Sequence, residues 1–299
     1  MNIFVTGASG FVGGTVARRL LAAGHSVRGL IRDASKAEAL KALGIEPVIG
    51  SLEDGSLLTR EAQQSDGVIH AADSDHRSAI EALIEGLRGS GKSLLHTSGS
   101  SVIGDDALGN SVSEAIYDED TPMIVEPVKQ PRRDIELQVL AASTKGVRAV
   151  VICPSNIYGS GTGLNPRSVQ IPFLVDDARK GGVVHMVGRG VNRWSNVHIE
   201  DVAELYLLAF EKAPAGAFYF IENGEASFGE IGAAIARRLK LGPVESLTVE
   251  QATERWGKVH AHYTFGSNSR VRAKRARKEL GWAPRHTSAL TWIEEDMPL

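Results

Sequence analysis

The sequence predicts an α/β fold, a doubly wound parallel sheet with a smaller C-terminal lobe, on three observations. The opening stretch, MNIFVTGASGFVGGT, runs from a short apolar segment through a glycine-rich turn into a helical apolar period. Short β-branched runs then alternate with helical periods as far as about Cys153, and such alternation gives a parallel sheet covered by helices on both faces. Beyond Cys153 the alternation loosens into glycine-rich loops and isolated elements.

Taken in order, Asn2 to Thr6 suits a buried parallel strand. Gly7, Gly10 and Gly13 follow at three-residue spacing, before a helix over Phe11–Ala23. Gly7 allows the tight turn, Gly10 lets the backbone approach an anion, and Gly13 lets helix and strand pack closely. Free N–H groups at the helix start, with Ser9, Phe11 and Val12 between the glycines, then suit the diphosphate of a dinucleotide. Further strands are expected at Ser26–Ile31, Pro47–Ile49, Gly67–Ala71, Ser93–Thr97 and Val147–Ile152. Helices are expected at Lys36–Leu43, Leu57–Gln64, Ser78–Arg88 and Arg132–Ser143, with Gly24, Gly44 and Gly91 near helix ends. Later, Gly159 to Pro166 reads as a loop, Glu200–Glu211 as a helix and Phe218–Ile221 as a strand. Ser227 with Glu230, and Thr248 with Gln251, are capping-box signals that open two more helices. The expected organisation is a dinucleotide-binding domain over residues 1–155 and a mainly substrate-binding lobe over 156–299, some of whose elements return to the sheet.

A chain of 299 residues with 42% hydrophobic and 23% charged content is an ordinary globule. The formal charge of −3 gives no reason to expect nucleic acid or a membrane surface as partner. No apolar run approaches a membrane span, and no basic segment precedes the first apolar stretch, so a cytoplasmic location is expected. The single cysteine, Cys153, excludes an internal disulfide and reads as a buried small hydrophobe. No HxxH, HExxH or GxSxG pattern occurs, so neither a metal nor serine-hydrolase chemistry is expected.

The GxxGxxG spacing within TGASGFVGG resembles that of the extended short-chain dehydrogenase/reductases, which are Rossmann proteins, and Leu280-Gly281-Trp282-Ala283-Pro284 resembles their common ending. The resemblance runs from end to end and implies a nicotinamide dinucleotide. It places cofactor contacts at Ser51 and Leu52, at Ala71, Ala72 and Asp73, at Thr97 and Ser98, and at Pro154, Asn156 and Ile157. The residue ending the second strand reads the adenosine ribose. Here VRGLIRD looks like the plant dihydroflavonol reductases, whose matching arginine holds a 2′-phosphate. Arg32, with Lys36 nearby, therefore favours NADP(H); Asp33 keeps NAD(H) open, because one residue of slippage would put a carboxylate at the ribose.

The family's catalytic serine, tyrosine and lysine are harder to match. Glu136 fits the glutamate of YxxxKxxxE, and counting back puts Arg132 on the lysine and Val128 on the tyrosine. In HTSGSSVIGD, Gly99 falls on the usual serine. The combination resembles atypical members of the epimerase/dehydratase family that lack the triad. Arg132 is expected to keep the ribose contact and add fixed charge near a developing alkoxide, with Arg133 as the alternative one residue on. Ser98 would orient a carbonyl. The proton would come from Tyr117, in the long loop before the fifth helix, from His76, after the fourth strand, or from water. Tyr158 reads as a positioning residue.

The favoured function is hydride transfer to a small aldehyde, ketone or related C=X compound. The alternatives are a non-catalytic NADP(H)-sensing regulator and a nucleotide-sugar epimerase. In such epimerases an arginine grips phosphate at the position that Trp194 takes here. The six bases between Arg270 and Lys278 read as a solvated basic helix. A homodimer is expected through the helices after the fourth and fifth strands, with Leu83, Leu87, Ile135, Val139 and Ala142 either as an apolar seam or as core.

Overall fold

The computed structural model describes residues 1–299. Strands β1 (Asn2–Thr6), β2 (Ser26–Ile31), β3 (Glu46–Ile49), β4 (Gly67–His70), β5 (Ser93–Thr97) and β6 (Arg148–Pro154) alternate with helices α1 (Phe11–Ala22), α2 (Ala37–Ala42), α3 (Gly55–Gln64), α4 (Arg77–Leu87) and α5 (Gln130–Ala141). There follow β7 (Asn156–Tyr158), α6 (Gln170–Gly181), β8 (His185–Val187), β9 (Arg193–His198), α7 (Ile199–Lys212), β10 (Ala217–Ile221), β11 (Glu225–Ser227) and α8 (Phe228–Leu239). The chain closes with β12 (Glu245–Leu247), α9 (Val249–Trp256), α10 (Lys274–Leu280) and α11 (Ala289–Glu295).

Seven strands form one sheet in the order β3-β2-β1-β4-β5-β6-β10, and every neighbouring pair is parallel. The order reverses between β1 and β4, which opens a crevice at their carboxyl ends. Alternation along β1 supplies both faces: Ile3 and Val5 join α1 and α7 in one core cluster, while Phe4 joins α3, α4 and α5 in the other. Part of the C-terminal half returns to the sheet, with β10 as its edge and α7 beside α1. The lobe has its own apolar cluster, including Trp194, Phe228, Trp256 and Phe265, around a three-stranded sheet, β7-β9-β11.

Both capping boxes form, Ser227 with Glu230 on α8 and Thr248 with Gln251 on α9. The short strands β7, β8, β9, β11 and β12 were not legible, since three to six residues carry too little periodicity to stand out. The apolar residues of the helices after the fourth and fifth strands take the second of their two expected places, the core. Leu83, Leu87, Ile135, Val139 and Ala142 are at most 2% exposed and belong to the core, so they offer no apolar seam to a second chain. The basic residues from Arg270 onward are largely paired within the chain. Arg270 and Arg272 share Glu225, Lys274 and Arg275 share Asp120, and Arg277 meets Glu222. No helix is long and apolar enough to cross a membrane.

Candidate active site

The glycine turn has the geometry of an anion cradle. Gly7 adopts φ +74°, and a Cβ there would lie 2.6 Å from the Ala71 carbonyl oxygen. A Cβ on Gly13 would lie 2.4 Å from the Gly7 oxygen, so α1 packs on the turn at a distance only glycine permits. Gly10 caps α1 without any side-chain hydrogen bond, and no acidic residue stands in the first turn. The leading N–H groups of α1 are thus left to an external acceptor, with the helix dipole behind them.

Along the outer edge, Arg32 and Lys36 are exposed beyond β2. The Asp33 carboxylate is engaged by its own turn: Oδ1 accepts from the Ser35 amide at 3.0 Å and from the Ser35 hydroxyl at 2.6 Å. Ser51 and Asp73 make similar local turns, accepting from the amides of Glu53 and Asp75. Leu52 packs against the α3–α5 side of the core. The Thr97 hydroxyl bonds the Tyr206 phenol at 2.6 Å and so faces inward.

A cavity of about 1140 Å³ starts at Gly10, Phe11 and Val12, passes Ala71, Ala72, Ser98, Pro154 and Ile157, and ends on Phe173, Trp194 and Tyr263 of the lobe. Arg132 projects into it. Its Nε and Nη2 donate to Asp75 at 2.8 and 2.6 Å, and its Nη1 donates to the Ser101 hydroxyl at 2.8 Å. This hydrogen-bonded pairing raises the Arg132 pKa and lowers that of Asp75. Arg133 turns away to Glu136 at 2.7 Å. Glu136 is fully buried, and burial raises its pKa although Ser98 and Arg133 both donate to it.

The residues present suit a nicotinamide dinucleotide. Besides the cradle, the buried hydroxyls of Ser155 and Ser168 line the cavity without a hydrogen-bond partner. The side chain of Asn156, also buried and unpartnered, lies off the lining.

Two expected proton donors are placed elsewhere. Tyr117 is 8% exposed, pairs with Val271 in a short parallel bridge, and packs in the core rather than on the cavity wall. His76 caps α4, with Nδ1 accepting from the Ala79 amide at 3.2 Å and Nε2 2.9 Å from Glu53. Ser98 does reach the cavity wall, but its hydroxyl donates to Glu136. Sequence reasoning missed Lys129 and Tyr263, both on the cavity wall. Lys129 directly follows Val128, so its neighbour was singled out and the lysine itself passed over.

His198, Glu200 and His286 bring candidate metal ligands within 4.8 Å of one another, a grouping no sequence spacing suggested. The two imidazoles stack at 3.7 Å with an interplanar angle of 22°, so their in-plane lone pairs do not converge on one ion. His198 Nδ1 already accepts from the Glu200 amide at 3.3 Å.

Comparison with known proteins agrees with this geometry. Residues 3–221 match the sequence profile of the NAD dependent epimerase/dehydratase family. The chain is 36% identical to an uncharacterised protein of Schizosaccharomyces pombe, covering 99% of each. It is 30% identical to a 4-hydroxy-2-methyl-3-oxo-4-farnesyl-3,4-dihydroquinoline-1-oxide ketoreductase of Stigmatella aurantiaca, over 96% of this chain and 93% of that one. Its fold matches the dTDP-glucose 4,6-dehydratase of Bacillus anthracis in complex with NAD, with a TM-score of 0.75, 21% identity and coverage of 99% and 97%. By the profile match and by descent, the chain belongs to the NAD dependent epimerase/dehydratase family, as an NAD(P)-dependent oxidoreductase.

Proposed function

We propose that this oxidoreductase reduces the carbonyl group of a small organic molecule and that its preferred cofactor is NADP(H). The observation that carries the reading is the continuity of one cavity from the N-terminus of α1 to the aromatic wall of the lobe. A dinucleotide anchored at Gly10 would extend toward Arg132, with space left beyond it for a second, partly apolar molecule. The ketoreductase relative supports a carbonyl as that molecule's reacting group.

Bound cofactor would supply a hydride; the chain's own residues would do the rest. Main-chain N–H groups after Gly10 would hold the diphosphate, and Arg132, preset by Asp75 and Ser101, would grip the nicotinamide ribose. The same guanidinium would offset charge developing on the carbonyl oxygen, in a cavity where water screens it less than in bulk. The preference for NADP(H) rests on Arg32 being exposed while Asp33 is tied to Ser35, which leaves the guanidinium as the group facing a 2′-phosphate. The domain roles expected for residues 1–155 and 156–299 belong to this reading, as does a cytoplasmic setting, which suits the single buried thiol of Cys153.

The test is oxidation of NADPH and NADH by the purified protein across a panel of aliphatic and aromatic ketones and aldehydes, beside calorimetric titration of both dinucleotides. Turnover with a ketone supports the reading. Tight binding with no turnover across the panel would leave a dinucleotide sensor instead, and no binding of either dinucleotide would end both.

A further inference from the structure

Carbonyl reduction needs a proton as well as a hydride, and the residues first expected to give it are engaged elsewhere in the fold. The cavity wall presents another candidate. Lys129 ends the short 3₁₀ turn Pro127–Lys129 that leads into α5. Its ammonium donates to the Ser101 carbonyl at 2.5 Å and stands 5.5 Å from the centroid of the Tyr263 ring. Ser101 is also the residue whose hydroxyl receives Arg132. Lys129 and Arg132 therefore flank one residue, where the sheet side of the cavity meets the lobe. Gly104 makes room for the ammonium, since a Cβ there would lie 2.8 Å from Nζ. Val128, which matches the family's tyrosine position, is 57% exposed at the mouth.

We propose that Lys129 is the proton donor of this enzyme, delivering an Nζ proton to the carbonyl oxygen of the substrate as the carbon receives hydride. The inference rests on the reductase reading above. In the step, the carbonyl carbon gains a C–H bond from the reduced nicotinamide. The C=O π pair moves to oxygen, an N–H bond of Lys129 breaks, and an O–H bond forms. The dinucleotide is oxidised, the carbonyl is reduced to an alcohol, and the neutral amine regains a proton from water. An ammonium with the ordinary lysine pKa releases its proton poorly near neutrality. Here burial first, and Arg132 second, bring Lys129 down to about 8, against the opposing pull of Asp105 and Glu126. Tyr263 faces it from the lobe through its ring. This is why arginine could not take the part: its proton is held too tightly.

The experiment pairs K129M and K129R with a measurement that needs no cofactor. In lysine-labelled, ligand-free protein, side-chain NMR should show one ammonium titrating near 8, and K129M should lack that resonance. In turnover with a reducible ketone, K129M should lose about 100-fold or more in kcat, while the Kd for dinucleotide stays within about threefold. K129R should remain as slow as K129M, and the wild-type kcat should fall above pH 8. Rescue by K129R would show that Lys129 supplies charge alone and would overturn the proposal. K129M turning over at the wild-type rate would do the same, as would a Lys129 that titrates with the exposed lysines. Failure of the wild type to reduce any ketone would remove the reductase reading and this assignment together, whereas the other failures remove the assignment only.

Discussion

Asp75 and Arg132 meet through two parallel hydrogen bonds across the cavity mouth, Nε to Oδ1 at 2.8 Å and Nη2 to Oδ2 at 2.6 Å, although 57 residues separate them. Asp75 comes from the loop after β4 and Arg132 from the first turn of α5, so the pair ties that helix to the loop of the neighbouring strand. The Asp75 side chain is 53% exposed, which limits the pair's contribution to stability to about 1 kcal/mol or less. Its consequence is orientation. In D75N, thermal stability should change little, while the Kd for dinucleotide should weaken by roughly 3- to 10-fold, because the guanidinium must be ordered on binding. R132A should weaken it by about 10-fold or more. Calorimetric titration of both variants checks this, and equal affinities in all three proteins would refute it.

The glycines of the first turn should separate binding from folding. A Cβ on Gly10 would come no closer than 3.1 Å to the Gly7 oxygen, whereas one on Gly13 would strike the same oxygen at 2.4 Å. G10A should therefore fold with a loss of about 1 kcal/mol and bind dinucleotide about 10-fold more weakly or worse, since the methyl group stands where the diphosphate approaches. G13A should lose about 3 kcal/mol, because backbone must move. Urea unfolding and dinucleotide titration of each variant test the contrast.

Cofactor choice should follow Arg32. R32A should lose roughly 10- to 100-fold in affinity for NADP(H), the range for one charged hydrogen-bonding group, and leave NAD(H) within about twofold. An equal loss for both dinucleotides would show that Arg32 does not read the 2′-phosphate.

Buried histidines should make the protein acid-sensitive. His70 and His96 sit opposite each other on β4 and β5 with rings stacked at 5.5 Å. Burial lowers His70 to about 4 and holds His96 well below its ordinary value of 6.5. A lowered folded pKa means that the unfolded chain takes up protons first as the pH falls. Stability should therefore be unaffected above about pH 7, and should decline from 6.5 toward 4. For His70 the loss is on the order of 3 kcal/mol by the acid end. H96L, which removes an imidazole with no hydrogen-bond partner, should shrink the fall in Tm between pH 8 and pH 5. An unchanged fall would refute this.

Glu136 is fully buried, with Ser98 and Arg133 donating to it. E136A would strand Arg133 without its partner and should cost about 3–5 kcal/mol. E136Q, which keeps an acceptor, should cost less. Chemical denaturation compares the two.

Much of this protein could be read from sequence because much of it is local. The glycine turn, the sheet strands and both capping boxes depend on residues within a few positions of one another, so period and spacing reveal them. Reading Arg132 rather than Arg133 as the cavity residue also followed from spacing, since α5 turns one side chain to the crevice and the next toward Glu136. Tyr117 could not be placed in this way: its position depends on Val271, in a segment more than 150 residues later.

By itself, then, the sequence determined the parallel α/β architecture and the glycine turn at the start of α1, both of which follow from local backbone chemistry, while the nicotinamide cofactor was implied by the family resemblance. Only the tertiary structure decided which polar side chains remain free to act. It tied Asp33 to its turn, Ser98 to Glu136 and His76 to a helix end, and brought Lys129 beside Ser101 and Tyr263. The physical reason is that a side chain's availability depends on which distant groups have already claimed its hydrogen bonds and excluded its water, and no single segment records those claims.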